Sequence, residues 1–513
     1  MKRILVMALA AMMSVGAVGC AGNTAEENQN VSGTTTKVET KTAASQENSQ
    51  QKAAPKYVFL FIGDGMSYPQ FQAAADYQGA QQDSDDDILD GDVKLNFMEF
   101  PVAGSAVTYD SSSFCPDSAS TATSISTGHK TYSGTINMDE TGTTSYEAIS
   151  EKLHEQLGWK VGIITSVNMN HATPAAFYAH QASRNNYYEI GQELTQSGFE
   201  YFAGGALLDE KGENEDQTSL YDVAAEAGYK VVKTQAEAEA VTAKDQKVML
   251  VDEHLADSDA MEYELDRQDD QWALSDYVKK GIEVLDNDTG FFMMCEGGKI
   301  DWACHANDAG STVNDTMALA DSVQVAMDFA KEHPEETLIL VTGDHETGGL
   351  TIGYAGTDYD TYLTNLTNQK ISYAQFDEEY VAKYKENKTS FEDAMKDVEE
   401  LFGLKMEGNA EEDKLVLTDY EKERLQKAYE LSLTEYDPEK YSQEEYVLYG
   451  TYNPFSVTVT HILNNKSGID FSSYAHTGLP VAVFADGVGA DNFGGYYDNT
   501  DIYNKLAALL NVQ

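Results

Sequence analysis

Five short segments of the chain carry the residue types of hydrolytic chemistry. Cys115-Pro116-Asp117-Ser118-Ala119-Ser120-Thr121-Ala122-Thr123 presents small hydroxyls at the start of a helical pattern. Gly63-Asp64-Gly65, the stretch from Glu296 through Asp301 to His305, Gly343-Asp344-His345-Glu346-Thr347 and Ala475-His476-Thr477-Gly478 supply carboxylates and imidazoles. Together they offer one hydroxyl nucleophile and enough ligands for several metal ions. That is the inventory of a metal-assisted hydrolase with a serine nucleophile. Each fragment is weak alone. Five of them, mostly following apolar runs, are hard to assemble by chance.

Spacing gives some of these residues a geometry. Asp301 and His305 are four apart, so on a helix they share one face and can meet one ion. Asp344 and His345 are adjacent; on a turn after a strand both can face a metal. His476, in a loop, can complete a three-ligand zinc site with an open position. Asp64 lies between two glycines, where backbone can approach a ligand closely. Ser118 opens the helical stretch 119–126, and a helix N-terminus favours negative charge. An alternative stays open at that point, because Asp117 or Ser118 can be no more than an N-cap. His129, His154, His180, His254, His333 and His461 are read as surface or capping groups.

The elements that must position these residues alternate. Continuous apolar runs at 57–62, 160–165, 247–251, 290–295, 337–342 and 479–485 predict buried strands. Helical patterns lie between several of them, as at 145–156 and 315–331. The expectation is an α/β fold: a doubly wound, mostly parallel central sheet flanked by helices. Sites in such folds form beyond the carboxyl ends of strands, and Asp64, Glu296 and Asp344 each follow an apolar run. Residues 355–455 differ. They are rich in Tyr, Glu, Lys and Asp, show helical spacing at 390–401 and 418–433, and contain no buried-strand run. They read as an inserted helical subdomain acting as a cap.

The 513 residues are 42% hydrophobic, enough for a large core. The formal net charge is −52, from 86 acidic and 34 basic residues. That balance argues against nucleic acid as a specific partner. It suits a solvated surface, calcium binding or a salty habitat, and an anionic substrate must find local positive charge. Residues 1–19 have the basic start and short apolar run of a signal peptide. Ala17-Val18-Gly19-Cys20 resembles a bacterial lipobox, which makes Cys20 a lipid-bearing residue, the chain's one link to a membrane. Residues 20–55 read as a disordered tether, so the expected product is an exported, surface or periplasmic lipoprotein with its catalytic domain at 56–513. The remaining cysteines, Cys115, Cys295 and Cys304, are an odd number and exclude a full disulfide framework. Cys295 reads as a strand residue and Cys304 as a packing residue pointing off the ligand face.

From about residue 56 to the C-terminus, the 355–455 insertion apart, the chain resembles bacterial alkaline phosphatases. The resemblance rests on Asp117-Ser118-Ala119 with Ser126-Thr127-Gly128 and Lys130-Thr131, on the four metal-type segments, on Ala172-Thr173-Pro174-Ala175 with Ser183-Arg184, and on Asp498-Asn499-Thr500-Asp501. It implies a zinc-dependent phosphomonoester hydrolase acting at alkaline pH through a phosphoserine on Ser118. It implies two zinc ions and one magnesium: zinc beside Ser118 on Asp64, Asp344 and His345, a second zinc on Asp301, His305 and His476, and magnesium at Asp64, Thr173 and Glu296. Arg184 would clamp phosphate. Where the enterobacterial member of the family has an aspartate near magnesium, this chain has His171. Where that member has a lysine after the zinc aspartate, this chain has Trp302. The implied partners are small phosphomonoesters, and many family members are homodimers. Two readings from the residues stay beside this one: a phosphodiesterase of the same superfamily, and a non-enzymatic surface lipoprotein that binds metal or phosphate.

Overall fold

The computed structural model describes residues 54–82, 94–435 and 437–513. The expected signal peptide, Cys20 and most of the expected tether lie outside the described residues, as does the acidic stretch 83–90. Apolar runs become the centre of one ten-stranded sheet. Its strands are β1 (Tyr57–Gly63), β2 (Val102–Val107), β3 (Lys160–Asn168), β4 (Tyr201–Gly205), β5 (Lys230–Val232), β6 (Val248–Val251), β7 (Phe291–Gly297), β8 (Thr337–Gly343), β9 (Val481–Gly487) and β10 (Gly495–Asp498). Their spatial order is β10-β2-β9-β8-β1-β7-β3-β4-β6-β5. Every pairing is parallel except those of β9, which runs against both β8 and β2. The doubly wound, mostly parallel α/β architecture is therefore present, with one reversed strand.

Both faces of the sheet are covered, which is why its central strands read as unbroken apolar runs rather than as alternation. Side chains still alternate. Phe59, Phe61, Met293, Cys295, Ile339 and Val341 face one layer, with α1 (Tyr68–Gln82), α3 (Leu274–Leu285) and α5 (Ala309–Glu332). Val58, Leu60, Ile62, Phe292, Met294, Leu338 and Leu340 face the other, with α2 (Ser118–Thr127) and α7 (Thr500–Leu510). Between α3 and α5, α4 (Lys299–His305) follows β7; α6 (Pro454–Ser467) precedes β9.

Four strands escaped the sequence reading, for physical reasons. β2 is built on small residues (Val-Ala-Gly-Ser-Ala-Val), β4 ends in two glycines, and β5 and β10 are short edge strands with exposed positions. Residues 355–455 carry helices, among them Phe391–Phe402 and Asp419–Ser432, each with a side-chain N-cap. Their buried Phe376, Val398, Phe402, Leu425 and Tyr429 join the same hydrophobic cluster as the sheet's first face and Phe455 and Leu463 of α6. The segment thus packs as part of the main core. Among the described residues no helix is long and apolar enough to cross a membrane.

Candidate active site

Register brings the first ligands together. Gly63 of β1 pairs with Gly297 of β7 and with Gly343 of β8, so three neighbouring parallel strands end at one level. Asp64, Glu296 and Asp344 stand at those ends. The glycines around them are required by close approach. A Cβ on Gly343 would lie 1.9 Å from the Met66 carbonyl. Gly65 has φ 72°, and a Cβ there would come within 3.0 Å of Asp301.

Ser118 is the first residue of α2. Asp117 is its N-cap, accepting from the Ser120 amide at 3.1 Å. The serine Oγ lies 3.2 Å from His345 Nε2 and 3.4 Å from Asp64 Oδ1, so it is aimed into the carboxylate cluster from a positive helix end. Ligand-type atoms of Asp64, Asp344 and His345 all lie within 4.8 Å of one another, and so do those of Asp301, His345 and His476. His305 belongs with the second group: its Nε2 is 3.4 Å from Asp301 Oδ2 and 3.0 Å from His476 Nε2. Asp301 and His305 sit on one face of α4 as the spacing required.

In each of the three histidines one nitrogen is occupied by protein and the other is turned inward. His305 Nδ1 donates to the Tyr474 carbonyl at 2.7 Å, and His476 Nδ1 to the Pro116 carbonyl at 2.5 Å. His345 Nδ1 meets Thr347 Oγ1 at 3.2 Å. Each Nε2 is left as the free base that a metal takes. Burial pushes the pKa of His345 and of His476 down to about 4, which keeps both imidazoles neutral.

The carboxylates have the opposite problem. Burial, then the charges of Asp344, Asp301 and Glu296, pushes the pKa of Asp64 well above the ordinary range. Burial likewise lifts Asp344 and Glu296 to about 7. Glu296 Oε1 is buried without a hydrogen-bond partner. Arg184, whose charge acts on Asp64, is already paired with Asp117 at 2.9 Å. Four buried carboxylates need positive charge that the side chains do not supply. The donor set is one that fits metal ions, oxygen-rich at Glu296 and nitrogen-containing at the histidines.

Thr173 Oγ1 donates to Asp64 Oδ2 at 3.1 Å, and Thr165 Oγ1 to Glu296 Oε2 at 2.5 Å. Thr173, Asp64 and Glu296 therefore form the third corner of the site. His171 Nε2 accepts from Arg184 Nη2 at 3.3 Å and its ring meets Trp302 edge-on at 5.8 Å. Its Nδ1 is buried without a partner. Cys304 is buried with Sγ 3.5 Å from Thr312 Oγ1, off the ligand face as expected.

Sequence reasoning missed several neighbours. Asp117 is both helix cap and partner of Arg184. Thr347 Oγ1 donates to Asp301 Oδ1 at 2.5 Å and Thr121 Oγ1 to Asp344 Oδ2 at 3.1 Å. Glu346 accepts from Gln70 at 2.6 Å, from the amides of Gly349 and Leu350, and from Thr477 Oγ1. It thereby holds the strand pair Glu346–Thr347 and His476–Thr477 together. The only available signal was that these hydroxyls and acids adjoin the motifs.

Fold and site together define a hydrolase that binds metal ions. A family model described as alkaline phosphatase matches residues 55–203 and 198–512. The chain belongs to the alkaline phosphatase family, and it is accordingly a phosphomonoesterase. It is 29% identical to alkaline phosphatase 4 of Bacillus subtilis (strain 168) over 472 residues, 90% of each chain. It is 28% identical to alkaline phosphatase 3 of the same organism, over 89% of each. Among solved structures it is similar to a cold-active alkaline phosphatase from a Shewanella species, with 26% identity, 88% of this chain and 99% of that one covered, and a TM-score of 0.72. The alkaline phosphatase of Thermus thermophilus shares the fold at a TM-score of 0.73, with 24% identity over 90% of this chain and 92% of that one.

Proposed function

We propose that the enzyme hydrolyses small phosphomonoesters at alkaline pH through a phosphoserine on Ser118. Asp64, Asp344 and His345 would hold one zinc ion, and Asp301, His305 and His476 a second. Asp64, Thr173 and Glu296 would hold magnesium, with His171 beside them. The observation that carries the reading is the position of the Ser118 oxygen, 3.2 Å from His345 and 3.4 Å from Asp64. When bound, the ions lower the pKa of the serine hydroxyl and stabilise charge on the phosphoryl and leaving oxygens.

The chain's own residues do the rest. The Ser118 hydroxyl proton has Asp64 within reach as acceptor. The N-terminus of α2 favours the developing alkoxide. Arg184 presents its guanidinium fork to two phosphate oxygens, its orientation fixed by Asp117 on one nitrogen and His171 on another. With the ions, Arg184 would supply the local positive charge that an anionic substrate needs on a chain at −52.

His171 in place of a carboxylate removes one negative charge from the third corner, which weakens the case for a hard ion there and favours zinc when zinc is abundant. For this third ion, an alkaline phosphatase mutant from the Antarctic bacterium TAB5, of the same fold at a TM-score of 0.59, is described with magnesium bound. The N-terminal segment and Cys20 put the enzyme outside the cytoplasm on a lipid anchor in this reading, and a homodimer suits it.

The test is metal content measured alongside hydrolysis of p-nitrophenyl phosphate across pH, on protein lacking residues 1–53. A chelator should abolish turnover and zinc should restore it. Full activity in metal-free protein, or faster cleavage of the bis ester than of the monoester, would overturn the reading.

A further inference from the structure

Asp301 lies in the first turn of α4 and His305 at its end, while His476 lies 171 residues beyond His305. Nothing in the chain's local structure obliges the two to keep a fixed distance. Asn307 supplies the link. It follows α4 with φ 53°, a left-handed conformation that asparagine tolerates better than other side chains. It is buried, at 3% exposure. Its Nδ2 donates to the Cys304 carbonyl in the last turn of α4 at 2.9 Å, and to the Ser473 carbonyl at 2.8 Å. One amide group therefore ties the helix of His305 to the loop of His476. The His305 bond to the Tyr474 carbonyl runs beside it at 2.7 Å.

Two carbonyls on the same side decide which end of the Asn307 amide is nitrogen. Oδ1 then faces His461 Nε2 at 3.1 Å, and His461 must donate there. Burial pushes the pKa of His461 down to about 3, so the ring is neutral with its hydrogen on Nε2. Asn464 Nδ2 donates to the Asn307 carbonyl at 2.7 Å and its Oδ1 accepts from the Ala309 amide at 3.3 Å. His461 and Asn464 both belong to α6. Asn307 is thus held from behind by one helix and holds two ligand-bearing segments in front.

We propose that Asn307 is a positioning residue that fixes His305 against His476 and so sets the affinity of the Asp301–His305–His476 group for its ion. The proposal rests on the two-zinc reading. The Asp64–Asp344–His345 group hangs on the ends of β1 and β8 and has no bond to Asn307, so its affinity should change less. That asymmetry separates positioning from general loss of stability.

The experiment titrates zinc-stripped protein with zinc by calorimetry and with cobalt by visible absorption, which tells a two-histidine site from a one-histidine site. Asn307→Gly keeps the left-handed backbone and removes the amide. It should weaken one zinc site about 10- to 100-fold, as loss of a supporting hydrogen bond to a ligand shell does, and weaken the other site far less. Asn307→Asp, which turns an oxygen toward both carbonyls, should do the same or more. His461→Phe, which leaves Asn307 in place, should give a smaller loss at the same site and covers the case in which the Asn307 variants do not fold. Equal weakening of both sites, or no weakening of either, would overturn the proposal. A wild-type protein that binds no zinc would instead overturn the metal reading beneath it.

Discussion

The two ligand groups of the site are made in different ways. Asp64, Asp344 and His345 project from the ends of adjacent parallel strands, and their exposures are 1%, 0% and 0%. Asp301, His305 and His476 come from a seven-residue helix and a two-residue strand, with His305 and His476 side chains 27% and 13% exposed. The first group is positioned by the central strands of the sheet and has Ser118 against it. The second is positioned by side-chain hydrogen bonds and opens to solvent. A nucleophile must be held still, whereas a leaving group and a water must come and go. The contrast teaches that burial and solvent access fall at opposite ends of one site.

The largest expected effect breaks the buried side. Ser118→Ala should lower turnover of p-nitrophenyl phosphate by about 10³-fold or more, because the covalent route is gone, while zinc content stays at the wild-type value. Loss of zinc together with activity would mean that the serine is structural.

The next compares the groups directly. Asp344→Asn and His476→Gln should each remove one zinc ion and most activity. Excess zinc should restore His476→Gln in part, because that group is reached from solvent, and should restore Asp344→Asn far less. Equal recovery would erase the contrast.

Arg184→Ala is expected to cost less, about 10- to 100-fold in kcat/KM, the weight of a charge-assisted two-pronged contact of about 1.5–3 kcal/mol. Most of it should fall on KM, with phosphate inhibition weakened in parallel. A variant that loses kcat alone would move Arg184 from substrate binding to the chemical step.

The smallest effect lies outside the site and concerns pH. His180 joins helices Ile149–Leu157 and Tyr187–Gln196, with Glu151 and Glu193 each at 3.3 Å. Burial pushes its pKa down, but hydrogen bonds to both glutamates outweigh this and raise it to about 10. The folded state therefore binds the proton more tightly than the unfolded chain, whose histidine titrates near 6.5. The stabilisation is complete below about pH 6.5 and fades as pH rises toward 10. The unfolding temperature should fall across that range, and His180→Gln should flatten the fall. An unchanged slope in the variant would remove His180 from the account.

Much of the site was legible in the sequence because strand ends announce themselves. An apolar run followed by glycine and an acid, as at 57–65 and 337–344, states both the strand and the ligand beyond it. The i, i+4 spacing of Asp301 and His305 stated a shared helix face. What stayed hidden was chemistry between distant segments. Asp117 looked like a cap and is also the partner of Arg184. His461 looked like a surface group and is half-buried behind Asn307. His171 was read as a neighbour of the third metal corner, and its contacts with Arg184 and Trp302 were not legible in the spacing. In the fold, β2 and β10 were missed because small residues and exposed edges carry no apolar period, and the 355–455 helices joined the main core because their apolar stripes meet α6.

The central claim is that phosphate passes through Ser118. Mixing enzyme with a phosphomonoester, quenching in acid and locating phosphate by peptide mass spectrometry tests it most directly. A single phosphorylated position at Ser118, absent from Ser118→Ala and from chelated enzyme, is the expected result. Phosphate on Thr121 or another residue, or rapid turnover with no trapped phosphoenzyme and undiminished activity in Ser118→Ala, would contradict it.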